Sequence, residues 1–203
     1  MLVQIRSGGG AMASKRRIVL IYGTNSPPGR LWTALEFTKG VLLQRCAVSV
    51  IDLSSKDSAH LVGALRNESN AAQIDGAIES LRTADACVVF SPVYRASAPG
   101  SLKTFFDLAP LEALENKAVA IVSMGATAHH YLAVQASLST VLCWFGAIAV
   151  PPGIYLTSAS FRSGALIDSA QRELEEYART TADLAERLSG FQARPRPLAA
   201  ASA

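Results

Sequence analysis

The sequence predicts an α/β chain built on one parallel sheet with helices on both faces. Two observations carry this. Short runs of consecutive apolar, mostly β-branched residues recur along the chain, and segments with apolar residues at helical spacing separate them. Strands buried on both faces read as continuous apolar runs, and their alternation with helices leaves few right-handed topologies. No internal repeat and no interior low-complexity linker breaks the pattern, so residues 17–190 are expected to form a single domain.

The first strand is Ile18 to Tyr22, closed by Gly23. A helix follows from Gly29, with Leu31, Leu35 and Leu42 on one side. Cys46 to Leu53 is the second strand. From Asn70 the residues Ile74, Ile78 and Leu81 share a helical face. Ala86 to Ser91 is the third strand, followed by a helix holding Leu102, Phe105 and Phe106. Lys117 to Gly125 gives the fourth strand and Tyr131 to Phe145 another helix. The fifth strand runs from Ala147 to Leu156, interrupted at Pro151-Pro152-Gly153. Asp168 to Leu188 closes as an amphipathic helix with Leu174, Tyr177, Thr181, Leu184 and Leu188 in a stripe.

Composition narrows the function classes. The 203 residues are 50% hydrophobic and 17% charged, enough for one well-buried domain and unlike a disordered chain. No apolar run reaches the ~20 residues of a membrane span. A net charge of +3 with scattered basic residues is not a nucleic-acid footprint. Cys46, Cys87 and Cys143 lie far apart in apolar settings, so they are expected to be core thiols in a reducing compartment, the cytoplasm, with no metal site. Residues 1–16 lack the apolar region of a secretory signal, and Met12 is a second candidate start. Residues 1–16 and 191–203 are expected to be a disordered leader and tail.

In such a sheet ligands bind beyond the carboxyl ends of the strands. Three ends are unusual. Gly23-TNSPPGR-Leu31 opens a helix with Thr24, Ser26, Thr33 and Arg30, a set suited to a phosphate. It is neither a P-loop nor a dinucleotide fingerprint, which points to a monophosphate, although an ordinary capped turn reads equally well. Ser91-PVYRASAPG-Ser101 is long for a connector. Pro92 fixes its path, and Val93, Tyr94 and Arg95 present backbone groups to a flat polar ring, unless Arg95 simply lies in solvent. Ser123-MGATAHH-Tyr131 offers small residues, Gly125, Ala126 and Thr127, that let a planar ligand approach. His129 and His130 follow, at least one of them as a plain helix-start residue. The loops hold no Ser/His/Asp arrangement, no paired carboxylates and no metal set. A site without its own acid, base or nucleophile suggests that a cofactor supplies the chemistry.

The stretch SPVYRASAPGSLKTFFDL resembles the [ST]PVY[KR]xSxxGxLKxxLD signature of the NAD(P)H-dependent FMN reductases. It matches at Pro92, Val93, Tyr94, Arg95, Ser97, Gly100, Leu102, Lys103 and Asp107. Gly125-ATAHHYLAVQASLSTVL is similar to the family's GGTxAHLLAxDxxLxPVL. The first loop departs from GSPRxxSRTxxLL: Gly23, Thr24 and Arg30 fit, Asn25 and Ser26 replace Pro-Arg, Gly29 replaces Ser, and Leu31 and Trp32 stand where small hydroxyl residues are common. The resemblance covers Arg17 to Leu188. It implies a flavodoxin-like sheet of five parallel strands in order 2-1-3-4-5, and FMN as cofactor with NADPH or NADH as reductant. It places Thr24, Ser26, Arg30, Leu31, Trp32 and Thr33 at the phosphate, Pro92 to Arg95 and Gly125 to Thr127 at the flavin ring, and Ser97 and His129 at the second substrate. It further implies hydride transfer to flavin N5, a homodimer or homotetramer, and a separate flavin-dependent monooxygenase partner, as in the alkanesulfonate-type reductases. The tyrosine that some of these carry in the helix after the third loop is missing from Val134 to Ser137. Two alternatives stay open: an enzyme that retains FMN and reduces quinones, azo dyes or metal oxyanions, and a non-enzymatic electron carrier. Carriers of that kind are usually acidic, against a pI of 8.9 here.

Overall fold

The computed structural model describes residues 15–54 and 71–193. Most of the expected leader and tail, including Arg194 and Arg196, lies outside the described residues.

The central strands form where apolar runs leave no polar face. β1 (Arg17–Tyr22), β3 (Ala86–Pro92) and β4 (Ala118–Met124) are buried almost throughout. With β2 (Ala47–Asp52) and β5 (Ile148–Ala149) they make a parallel sheet in the order β2-β1-β3-β4-β5. This is the flavodoxin-like order. The register sets Tyr22 beside Phe90, and Pro92 beside Met124. The carboxyl ends of β1, β3 and β4 therefore meet at one rim.

Alternate residues of each strand feed two cores. Ile18, Leu20, Tyr22, Val88 and Phe90 pack under α1 (Arg30–Leu43) and α5 (Asp168–Arg187). Val19, Ile21, Cys87 and Val89 pack under α2 (Ala71–Thr83), α3 (Gly100–Leu108) and α4 (Ala133–Trp144). The expected stripe of α5 holds: Leu174, Tyr177 and Thr181 are buried, and Leu184 and Leu188 partly so.

Four expectations need correction. β2 and β5 are not buried strands, because each lies at a sheet edge and exposes Ala47, Ser49 or Ala149. The fifth strand is two strands, β5 and β6 (Ile154–Leu156), which pair in turn with β4. Pro151 and Pro152 between them carry no N–H for the ladder. Tyr177 of α5 fills the gap: its hydroxyl accepts from the Ile121 N–H at 3.1 Å and donates to the Val150 carbonyl at 2.7 Å. Burial pushes that phenol up to about 12. Third, the helix expected from Tyr131 begins as a 3-10 turn, Ala128–His130, and α4 proper starts at Ala133, leaving Tyr131 and Leu132 exposed. Finally, Cys143 is exposed on the outer side of α4, whereas Cys46 and Cys87 are buried. A short hairpin between β6 and α5, β7 (Phe161–Arg162) with β8 (Ala165–Leu166), was not expected at all. No helix among the described residues is long and apolar enough to cross a membrane.

Candidate active site

The three unusual loops converge on the shared rim. After β1 the Gly23 N–H bonds the Phe90 carbonyl at 2.8 Å, which carries the chain straight off the sheet. Thr24 is only 2% exposed, and its hydroxyl accepts the Ser26 N–H at 3.1 Å. This local bond bends residues 24–26 into a cradle facing the start of α1. That helix starts without a side-chain cap, at Gly29, and has no acidic residue in its first turn. Its first residue is instead a cation, Arg30, the sign opposite to what a helix start favours. An anion placed here would satisfy both the uncapped amides and the guanidinium. Tyr22 closes the inner side, edge-on to Trp32 with ring centres 4.9 Å apart. Burial pushes the Tyr22 phenol up, and the backbone amide of Gly29 partly offsets this.

After β3 the Val93 N–H bonds the Met124 carbonyl at 2.8 Å, so the chain continues one step along β4. It then folds back at once. Tyr94 and Ser97 exchange backbone bonds of 2.9 and 3.0 Å across Arg95 and Ala96, whose φ angles are 51° and 59°. Two consecutive positive φ values describe a type I′ turn, which normally takes Asn or Gly. Each non-glycine residue held left-handed costs about 1–2 kcal/mol. The turn is braced from behind, where the Ala98 N–H meets the Ser137 hydroxyl of α4 at 3.3 Å.

After β4 the Gly125 N–H bonds the Leu156 carbonyl, and the Tyr155 hydroxyl of β6 donates to the Thr127 carbonyl at 2.6 Å. A Cβ on Gly125 would collide with that hydroxyl, so any side chain there has to displace Tyr155. Tyr155 thus fixes residues 125–127 from outside the loop.

These parts enclose an open cleft of about 450 Å³, within the range of small-molecule sites. Thr24, Ser26, Gly29, Arg30 and Leu31 line one end, and Pro92, Val93, Tyr94, Met124, Gly125 and Ala126 the other. Among the described residues the lining holds no carboxylate, imidazole or thiol. A larger concavity of about 1090 Å³ lies between α3 and α4, near Asn116 and Gly146, where β4 and β5 begin. It sits away from the strand ends and is walled by Phe106, Leu111, Val141 and Trp144.

Residues 16–161 match the family model of the NADPH-dependent FMN reductases. The chain belongs to this family of oxidoreductases. A relative from Pseudomonas aeruginosa, FMN reductase (NADPH), is 31% identical over 74% of this chain and 81% of its own length. NADH-dependent FMN reductase SfnF of Pseudomonas fluorescens is 29% identical over 91% of this chain and 97% of its own. The solved apo form of NADH:FMN oxidoreductase (EMOB) superposes with a TM-score of 0.75 at 26% identity, covering 93% of this chain and all of that one.

FMN and a pyridine nucleotide are therefore the molecules against which the FMN reductase cleft is to be judged, and its residues fit FMN. A hydroxyl-and-arginine end suits a phosphate, and a bare ledge of small residues at the other end suits a flat ring. Of the predicted residues, Thr24, Ser26, Arg30, Leu31, Pro92, Val93, Tyr94, Gly125 and Ala126 line the cleft together. Trp32, Thr33, Arg95, Ser97, Thr127 and His129 do not. Trp32 packs behind Tyr22, and Thr33 bonds back to Gly29 within α1. Arg95 points from the tip of the strained turn, exposed, and Ser97 closes that turn through its backbone. Thr127 faces His129, with Oγ1 and Nδ1 3.2 Å apart at the exposed start of the 3-10 turn. Tyr22, Gly29, Met124 and Ser158 line the cleft without having been expected. Tyr22 and Met124 are the last residues of their strands, a signal available in the sequence. Ser158 follows β6, whose end at Leu156 agrees with that read for the fifth strand, but the loop beyond it was not singled out.

Proposed function

We propose that this protein uses NADH or NADPH to reduce FMN and hands the reduced flavin to a separate flavin-dependent monooxygenase. The observation that carries the reading is the division of one cleft into an anion cradle and a flat ledge, with no carboxylate, imidazole or thiol among the described lining residues. Bound FMN supplies the missing chemistry by accepting the nicotinamide hydride at its N5. The chain's own residues bind, orient and exclude water. Thr24, Ser26, Arg30 and the first amides of α1, at Leu31 and Trp32, take the phosphate. Pro92 to Tyr94 border the ring on one side and Gly125 to Thr127 on the other. Arg95, Ser97 and His129 stand at the solvent side, where a second, phosphate-bearing nucleotide enters.

Release of the flavin is supported by the openness of the cleft and by the exposed Asn25-Ser26-Pro27-Pro28 run in the phosphate loop. We place the enzyme in the cytoplasm, where thiols such as Cys46 and Cys87 stay reduced.

We further propose that the protein is a homo-oligomer, paired through the groove between α3 and α4. Trp144 is 61% exposed beside it, and Lys103, Asp107 and Glu115 give one patch both signs of charge, as a two-fold contact needs. Leu102, Phe105 and Phe106 of α3 are buried in the chain's own core.

Steady-state oxidation of NADH or NADPH with free FMN as the varied substrate tests the reading. Saturation by FMN, with FMN lost on gel filtration, is the expected outcome. Retained FMN and turnover only with a quinone would replace it with a flavin-retaining quinone reductase.

A further inference from the structure

The hydroxyl of Tyr94 does not point along the ring ledge on which its backbone lies. It crosses to the phosphate loop, 2.6 Å from the Ser26 hydroxyl and 3.1 Å from that of Thr24. These contacts join residues 68 and 70 positions apart, so the fold, not the local sequence, creates them. We infer that Tyr94 is a third phosphate-recognising hydroxyl, and that through it this chain separates FMN from riboflavin. The inference rests on the flavin reading above.

Proton counting supports it. Each of the three hydroxyls carries one proton, and each turns about its C–O bond. The Thr24 oxygen already accepts the Ser26 N–H. The two contacts among the hydroxyls consume two of the three protons and leave the third for solvent. A phosphate dianion offers only acceptors, so each of the three hydroxyls can turn its proton to it. Riboflavin ends in a neutral hydroxyl at this point, whose single oxygen accepts two such bonds at most and carries no charge. The strained Arg95–Ala96 turn has a reason in this arrangement. Its backbone bonds between Tyr94 and Ser97 fix where the Tyr94 ring leaves the ledge, which directs the hydroxyl at Ser26.

Flavin binding, read by quenching of flavin fluorescence, tests the assignment on wild type, Tyr94→Phe, Ser26→Ala and the double variant. Hydrogen bonds to charged groups are the stronger kind, so Tyr94→Phe is expected to raise the FMN Kd about tenfold and leave the riboflavin Kd unchanged. The double variant should lose less than the product of the single losses, and inorganic phosphate should compete with FMN in wild type more strongly than in Tyr94→Phe. Equal losses for FMN and riboflavin would overturn the assignment and make Tyr94 a ring wall. Unchanged or tighter FMN binding would overturn it too, as would wild type that binds both flavins equally well. Wild type that binds neither flavin would overturn the flavin reading itself and this assignment with it.

Discussion

Two concavities among the described residues are of opposite character. The larger, about 1090 Å³, is an apolar groove between α3 and α4 near the amino ends of β4 and β5. The smaller, about 450 Å³, lies beyond the carboxyl ends of β1, β3 and β4. Size alone would choose the groove. The chemistry is concentrated in the cleft: hydroxyls that converge from distant loops, a cation at an uncapped helix start, and two residues held left-handed. The left-handed non-glycine residue lining the groove is Asn116, at a φ of 60°, a type that takes this conformation far more readily than Arg or Ala. A fold stores strain where a ligand needs a fixed surface, and leaves a plain apolar wall where it needs only to be covered.

The comparison breaks most sharply at Gly125. Gly125→Val places a branched side chain against the Tyr155 hydroxyl and over the ledge. FMN binding should weaken by on the order of a hundredfold or more, as expected for overpacking that shifts backbone by about 1–3 kcal/mol in addition to blocking the ring. Isothermal titration with FMN reads this loss, while the oligomeric state, which we assign to the groove, should stay as in wild type. Trp144→Glu is the converse change. It should shift the protein to a smaller species in light scattering and leave the FMN Kd within about threefold, since surface changes away from a site act weakly.

The third test leaves both concavities intact and addresses the frame between them. Tyr177→Phe strands the Ile121 N–H and the Val150 carbonyl in the core. It should cost about 1–3 kcal/mol, a fall of several degrees in Tm for a chain of this size. The FMN Kd measured at low temperature should not change.

The sequence made the middle of the sheet plain because β1, β3 and β4 are buried on both faces and read as unbroken apolar runs. It hid the edge. Pro151-Pro152 reads as an interruption, and only the packed structure reveals that Tyr177 bridges it. The β7–β8 hairpin was open to detection, since Ser163-Gly164 is a turn pair and takes φ values of 51° and 84°, but two-residue strands carry too little pattern to stand out. At the site, the strand-end loops were legible from their Gly, Pro and hydroxyl content. The reach of Tyr94 to Ser26 and the brace of Tyr155 on Thr127 were not, because both depend on how separate strands align.

The smallest expected effect concerns pH. Lys117 donates to the Leu81 and Arg82 carbonyls at the end of α2, and burial lowers its ammonium to about 8. Between pH 8 and its ordinary value of 10.5 the unfolded chain holds more protons than the folded one. Stability from this group therefore rises with pH across that window. Denaturant midpoints at pH 8 and 9.5 should move upward in wild type more than in Lys117→Met.

The central claim is that flavin is reduced in the small cleft. Anaerobic mixing of catalytic amounts of the protein with excess FMN and either NADH or NADPH tests it directly. Wild type should bleach the flavin absorbance with at least one of the two nucleotides, and Gly125→Val should not. No bleaching by wild type with either nucleotide, or equal bleaching by the variant, would contradict the account.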